Sequence, residues 1–251
     1  PFYWNIAQNY DATITPQYIQ EKGAGIDLEL RHLSPYGQTT YEQSSFSDKD
    51  EGEQTLIKLT STQKFNQHFS AGLVAEANPT KNKYPQANST SISKKNNYER
   101  SVYFGVNNGN FLNKVTYLTY QTPNTANDKP FEWLPRLSSS YRIASSYLDY
   151  KIDAQYTDFY DPAEDNFDGQ RTVLNQDVNL NFSNAWGSLT PGVLAQYRDY
   201  NLHNYTTDSE SDTSITHLTS YIDSSISFER RLMISDESWR QTLMPRLSYL
   251  N

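Results

Sequence analysis

The stretch LDYKIDAQYT, residues 148–157, decides the predicted fold, because apolar and polar side chains alternate along its whole length. In a β-strand successive side chains point to opposite faces, so this period of two separates the two kinds of residue completely, whereas a helix cannot separate them. One face carries Leu148, Tyr150, Ile152, Ala154 and Tyr156, and the other carries Asp149, Lys151, Asp153, Gln155 and Thr157.

The same alternation recurs along the chain, at 26–31, 177–182, 218–229 and 242–249. With turn-forming residues between such segments, the pattern predicts about fourteen strands and no helix. We expect the strands at 1–6, 10–20, 24–33, 38–46, 54–64, 68–77, 98–107, 111–121, 132–143, 147–159, 171–182, 187–201, 216–229 and 240–250.

Short and long connectors alternate between these strands from residue 47 onwards. Long loops at one end of a sheet and short turns at the other are typical of outer-membrane barrels. The Asn107–Gly109 turn is a hairpin signal, since asparagine and glycine tolerate positive φ. The short connectors are 64–67, 107–110 and 183–187, and the long ones are 78–97, 122–131, 160–170 and 202–215.

The composition combines high polarity with many aromatic residues. The 251 residues have a mean hydropathy of -0.79, yet 14 % of them are aromatic, including 20 tyrosines. No apolar run approaches the roughly 20 residues of a spanning helix. A transmembrane β-barrel accounts for both values, because its strands need only about 10 alternating residues and its lumen and loops are polar. A soluble β-sandwich also alternates, so alternation alone leaves both architectures open.

Tryptophan and tyrosine are typical of the aromatic girdles of a membrane barrel. In a soluble protein the same residues would pack in a core. The expected girdle members are Trp4, Trp133, Trp186, Trp239, Tyr103, Tyr117, Tyr150, Tyr156 and Tyr197.

The first sixteen residues, PFYWNIAQNYDATITP, have strand composition but carry a proline at each end, Pro1 and Pro16. A proline has no N–H for a β-ladder, so it belongs at a sheet edge, a strand start or a bulge. Two prolines in adjacent strands predict a seam at which strand pairing is weak.

Five motifs, spread over the whole chain, form a recognisable series. They are PFYWNIAQNYDATITPQY at 1–18, GIDLELRHLSPYG at 25–37, FSNAWGSLTP at 182–191, SFERRL at 227–232 and RQTLMPRLSYLN at 240–251. In this order they resemble the barrel of the LptD (OstA/Imp) family of lipopolysaccharide-assembly outer-membrane proteins.

Single residues of the first and last motifs depart from the family pattern. Phe2 replaces a tyrosine, Gln8 a proline and Met244 a glutamate. The resemblance implies an all-β, antiparallel transmembrane β-barrel, of which residues 1–251 would form a part, about 13–14 strands of a larger barrel. The family's periplasmic jelly-roll domain and the C-terminal half of the barrel are expected to lie outside this sequence.

The resemblance also implies a function, which is the transport of lipopolysaccharide and its insertion into the outer leaflet of the Gram-negative outer membrane. In the family, prolines of the first two strands are associated with a lateral gate between the first and last strands, and by motif these are Pro1 and Pro16. The implied partners are lipopolysaccharide, outer-membrane lipid, the lipoprotein LptE, which plugs the lumen, and periplasmic Lpt bridge proteins that bind the jelly-roll domain. The residues expected to face the lumen are Asp27, Glu29, Arg31, Asp149, Lys151, Asp153, Asp177 and Asp223.

Two alternatives stay open beside this interpretation. One is another outer-membrane channel, such as a porin, and the other is a soluble all-β carbohydrate-binding module. The sequence carries no nucleophile motif, phosphate-binding loop or nucleotide fingerprint, so we expect neither an enzyme nor a cofactor nor a metal site. Its net charge of -8 argues against a nucleic-acid partner.

Overall fold

A computed structural model of the chain describes residues 1–21, 23–50, 52–80, 95–123, 129–164, 167–204, 207, 209–234 and 237–251. All regular elements of these residues are β-strands. They are β1 (Phe2–Ala7), β2 (Tyr10–Ile19), β3 (Gly23–Ser34), β4 (Gly37–Asp48), β5 (Gly52–Lys64), β6 (Phe69–Ala77), β7 (Tyr98–Asn107), β8 (Phe111–Gln121), β9 (Glu132–Ala144), β10 (Leu148–Tyr160), β11 (Phe167–Leu180), β12 (Phe182–Asn184), β13 (Gly187–Asn204), β14 (Ser209–Ile226), β15 (Phe228–Ile234), β16 (Glu237–Leu243) and β17 (Arg246–Leu250).

Fifteen of the strands form one antiparallel sheet in which neighbours in the chain are also neighbours in space, and β15 and β16 pair with each other. The order runs from β1 through β11 to β13, β14 and β17, and the short β12 pairs with β13. The predicted all-β antiparallel fold is confirmed. Within the described ranges, β1 pairs only with β2, and β17 pairs only with β14, so each forms an edge of the sheet. The described residues contain no helical segment with the length and hydrophobicity of a membrane span.

The last two predicted strands are the arms of one long hairpin. The β15–β16 ladder continues the β14–β17 ladder in the same register, with Phe228 opposite Leu243. Between the two ladders, the Ile226 amide donates a hydrogen bond to the Pro245 carbonyl at 3.2 Å. Because Gly187, the first residue of β13, pairs with Ile226, the hairpin extends beyond the end of β13.

The connectors alternate in position between the two ends of the sheet, and the shortest gather at one end. At the predicted hairpin turn, the Gly109 amide donates to Asn107 Oδ1 at 2.9 Å, and Gly109 has a φ of 72°. Glycine adopts this conformation without a steric penalty because it has no Cβ. The predicted turn is therefore confirmed.

The prediction of a long connector at 202–215 is wrong, because β13 extends to Asn204 and β14 begins at Ser209. Residues 209–214 are polar and show no apolar alternation. Their strand conformation comes from backbone pairing with β13, which does not depend on side-chain type. The predicted connectors at 78–97 and 122–131 match the strand bounds on either side of them, and residues 81–94 and 124–128 within them lie outside the described residues.

Few apolar side chains are fully buried among the described residues, because a single sheet has no second layer to pack against. They are Ala12, Phe46, Leu56, Tyr98 and Leu118, and three of them, Phe46, Leu56 and Tyr98, form a cluster. Backbone hydrogen bonds between strands therefore carry most of the fold.

Two glycines make room for tyrosine rings of the neighbouring strand. Gly72 pairs with Tyr103, and Gly192 pairs with Tyr221. A Cβ at either glycine would overlap the ring, so each tyrosine lies across the backbone of its partner strand. In this position the Tyr221 hydroxyl donates to Asp177 at 2.9 Å.

We expect Gly192→Ala in the full-length protein to lower the free energy of unfolding by about 1–3 kcal/mol, because the new methyl group displaces the Tyr221 ring. Gly105→Ala is the matched control, since the nearest atom to a Cβ there is the flexible Ser70 hydroxyl at 3.0 Å, and the backbone oxygens lie at 3.6 Å or more. Urea unfolding in detergent measures the free energy of unfolding of both variants. Adding Tyr221→Ala should relieve the Gly192→Ala defect, and a double variant no more stable than Gly192→Ala contradicts the overlap.

Candidate functional site

The registers divide the side chains of the sheet into two faces, because directly paired residues of antiparallel strands lie on the same face. We call the face that carries Asp27, Asp153 and Asp223 the polar face, and the face that carries Ile26 and Ile152 the apolar face. Following the pairs from strand to strand places all the charged residues that the alternation predicted on the polar face: Asp27, Glu29, Arg31, Asp149, Lys151, Asp153, Asp177 and Asp223.

Charges on the polar face are balanced by ion pairs, several of which join neighbouring strands. Arg31 Nε donates to Asp11 at 2.7 Å across β2 and β3, and Arg142 Nε donates to Asp149 at 2.8 Å across β9 and β10. Such partly exposed pairs contribute only about 0–1 kcal/mol each. Their effect is to keep the face polar without a large net charge. Further pairs are Lys58–Glu42 at 3.8 Å and Lys151–Asp153 at 2.7 Å.

Neutral side chains donate hydrogen bonds to further carboxylates that the sequence singled out, although Asp27 Oδ1 is buried without a hydrogen-bond partner among the described residues. The Ser248 hydroxyl donates to Asp223 at 3.1 Å, and Gln17 donates to Asp27. Together with the bond between Tyr221 and Asp177, these contacts tie β2 to β3, β11 to β14 and β14 to β17.

The polar face has the more buried side chains, as expected for the concave side of a curved sheet, where side chains converge and lose exposure. The apolar face keeps large side chains exposed, with Leu218 at 63 % and Ile222 at 46 %. The fully buried polar residues of the described strands all lie on the polar face: Glu42, Ser44, Asp48, Gln54, Glu76, Thr157 and Thr219.

Aromatic rings meet on the apolar face close to the end of the sheet that holds the shortest connectors. An aromatic band at such a level is typical of a membrane interface. The ring pairs are Tyr10–His32, with centroids 4.2 Å apart, Phe69–Phe104 at 6.0 Å and Phe111–Tyr141 at 6.2 Å.

Two residues predicted for the girdles lie on the polar face instead. Tyr103 covers Gly72, as described above, and Lys114 Nζ lies 4.1 Å above its ring. Trp133 reaches the polar face through a β-bulge, because two residues of β9 stand opposite a single residue of β10. The alternation of Val102, Phe104 and Val106 along β7 already separates Tyr103 from the apolar face, whereas spacing along β9 cannot reveal the placement of Trp133.

Along β4 the apolar face is interrupted by uncharged polar side chains. The Tyr41 hydroxyl donates to Gln43 at 2.7 Å, and the Gln43 amide donates to Ser45 at 2.9 Å. Ser45 in turn lies 3.3 Å from the Thr55 hydroxyl of β5. Each group satisfies the next, which lowers the cost of placing them in an apolar medium.

The two predicted gate prolines lie at the β1 edge of the sheet. Pro1 directly precedes β1, and Pro16 lies within β2 opposite Ile26 of β3. Pro1 is adjacent to Phe2, which pairs with Ile14, so both prolines lie at the same end of the β1–β2 ladder. The role of the prolines in a gate stays a prediction.

Arg136 and Arg171 belong to no motif, yet the registers place them on the polar face on either side of Thr157. A signal exists within β9, where the period of two in LPRLSSSYR (134–142) aligns Arg136 with Arg142. That signal does not reveal which residues of other strands lie beside them.

The polar face therefore offers hydrogen bonds and paired charges to whatever fills the concavity. Within the described ranges, no three His, Cys, Asp or Glu side chains are grouped so that they could hold a metal ion. Solvation and positioning of a polar molecule are the chemistry that this surface supports.

Comparison with known proteins agrees with the motifs. Residues 52–251 match the family model LptD, described as LPS transport system D. Proteins named LPS-assembly protein LptD from Marinobacter nauticus and from Neisseria meningitidis serogroup A are 29 % and 30 % identical to this chain, and each alignment covers 99 % of it. These alignments cover 34 % and 32 % of the relatives, so the chain spans about a third of their length.

We expect Val193→Arg on the apolar face to destabilise the full-length protein by about 2–4 kcal/mol, because it places a charge against lipid. Gln196→Arg, on the polar face of the same strand, is the matched control and should change stability little. Unfolding in lipid vesicles measures both variants. If both variants changed the stability equally, the two faces would not be in contact with different environments, lipid and water.

Proposed function

The chain belongs to the LptD family of LPS transport proteins, and we propose that its curved sheet forms part of the wall of a barrel that carries lipopolysaccharide into the outer leaflet of the outer membrane. The separation of the two faces carries this proposal. A concave polar face suits a wet lumen, and a convex apolar face suits contact with lipid.

Lipopolysaccharide is an amphiphile, so its transport sets two physical demands. Its sugars need a polar passage, and its acyl chains need to enter the bilayer sideways. We assign the first task to the polar face, with Asp27, Glu29, Arg31, Asp149, Lys151, Asp153, Asp177 and Asp223 lining the lumen. Transport does not require the barrel wall to make or break covalent bonds, so we assign no catalytic step to the wall.

The second demand requires a seam that can open. Parting two strands within a membrane exposes backbone groups to lipid at a cost of several kcal/mol each. We assign the seam to the β1 edge, where Pro1 and Pro16 supply no N–H to a ladder. Fewer bonds then need to break when the gate opens.

The proposed partners follow from the same function. LptE would occupy the concavity, and bridge proteins in the periplasm would deliver the lipid through a domain outside this sequence. The shortest connectors, with their aromatic band, would face the periplasm.

The two alternatives are not favoured. The family match points away from a general porin. A soluble module is at odds with the large apolar side chains that cover the convex face, because soluble monomers rarely expose contiguous apolar patches of more than a few hundred Å².

We expect cells depleted of the full-length protein to stop delivering new lipopolysaccharide to their surface, while uptake of small solutes through other channels continues. Surface labelling of newly made lipopolysaccharide measures delivery. Expression of the Gln196→Arg variant in the depleted cells should restore delivery. Undiminished delivery after depletion would refute the proposed function and leave a porin-like role.

We expect Pro1→Ala and Pro16→Ala to slow delivery by about fivefold for each ladder bond gained, since one such bond stabilises the closed seam by about 1 kcal/mol. Pro191→Ala, which adds an N–H within β13 and far from the β1 edge, is the matched control. The delivery rate in the same labelling assay decides, and equal rates for all three variants would remove the special role of the edge prolines.

A further inference from the structure

The bulge in β9 creates an unusual contact on the polar face. Thr157 of β10 pairs with Arg136, whereas Phe159 pairs with Trp133, so both β9 residues face the concavity. The Arg136 guanidinium carbon lies 3.2 Å from the centroid of the Trp133 ring. Stacking on an aromatic ring holds the planar guanidinium in one orientation.

A second arginine reaches the same place from the other side of β10. Arg171 of β11 also pairs with Thr157, so about 10 Å separates the two arginine backbones, two strand spacings. The Arg171 guanidinium carbon lies 5.0 Å from the Phe159 ring. Both long side chains therefore extend over the same buried residue, Thr157.

Most hydrogen-bond donors of the two arginines have no acceptor among the described residues. Arg136 Nε donates to Thr157 at 3.3 Å, and Arg171 Nη2 donates to Gln155 at 2.8 Å. Arg171 Nε is buried and has no hydrogen-bond partner among the described residues. An arginine offers five donors in a rigid fork, so the pair presents several donors that no acceptor of the described ranges uses.

Neither arginine forms an ion pair with a described carboxylate, which distinguishes them from Arg31, Arg142 and Lys151 of the same face. The cationic surface also continues toward the short-connector end. In the adjacent row of the sheet, Lys114 lies in register with Ser138 of β9, and Arg198 lies in register with Val173 of β11.

We propose that Arg136 and Arg171 form a binding site for phosphoryl groups on the transported glycolipid. Fixed guanidinium forks match the oxygens of a phosphate in a bidentate manner, and the absence of an acidic partner leaves their charge available. Lys114 and Arg198 provide the next positive charges along the polar face. This site rests on the proposed function, because it needs the glycolipid to pass the concave side of the sheet.

The test uses the full-length protein in complex with LptE, with Arg136→Gln, Arg171→Gln and the double variant. Each protein is titrated with lipopolysaccharide and with the same lipopolysaccharide after enzymatic removal of phosphate. Each single variant should lose about tenfold in affinity for the phosphorylated form and the double variant roughly a hundredfold. All the proteins should bind the dephosphorylated form equally.

Arg142→Gln is the matched control, because Arg142 lies on the same strand and face but is already paired with Asp149, and it should leave the preference for phosphate unchanged. In a separate titration, inorganic phosphate alone is the ligand. Binding of free phosphate by the wild type without any preference between the two lipids would overturn the proposal. If the glutamine variants do not assemble with LptE, Arg136→Lys and Arg171→Lys take their place in the titration. Lysine keeps the positive charge but lacks the forked donors of the guanidinium group.

The remaining outcomes separate this site from the proposed function. If the wild type binds neither lipid, the proposed function fails and the site falls with it. If the wild type binds lipopolysaccharide, but neither arginine removal nor phosphate removal matters, only the site fails. Loss of LptE from the double variant, with lipid binding intact, would show that the arginines bind that protein instead.

Discussion

The backbone ladder between antiparallel strands is the constraint on which the rest of this structure depends. A single curved sheet has no second layer and few fully buried side chains, so hydrogen bonds between strands hold it together. In lipid an unpaired backbone group costs several kcal/mol, and a nearly continuous ladder avoids that cost. Because side chains alternate with a period of two, the same ladder also decides which face each residue occupies.

The registers turn this alternation into a surface with defined neighbours. Asp11 meets Arg31, Arg142 meets Asp149, and Tyr221 reaches Asp177 only because the strands pair as they do. A slip of one residue would move every charge to the other face. The polar face is thus specified by many weak contacts that agree with one another rather than by one strong interaction.

The departures from a regular ladder lie where the proposed function needs them. At the β1 edge, Pro1 and Pro16 supply no N–H to a ladder, which suits a seam that opens. In β9 a bulge turns Trp133 to the concave side and places it against Arg136, which would otherwise be one more polar side chain in a row. Bulges of this kind are a common way to re-aim a side chain near a functional site.

The sequence by itself determined the strand character, the two faces within each strand and, through its motifs, the family. LDYKIDAQYT needs no neighbour to be recognised as a two-faced strand. Only the tertiary structure decided which residues meet across strands, that 209–214 is strand rather than loop, and that Trp133 belongs to the polar face. The physical reason is that period and propensity act along a single strand. Register depends instead on backbone bonds between strands, which form with almost any side chain and leave little trace in the sequence.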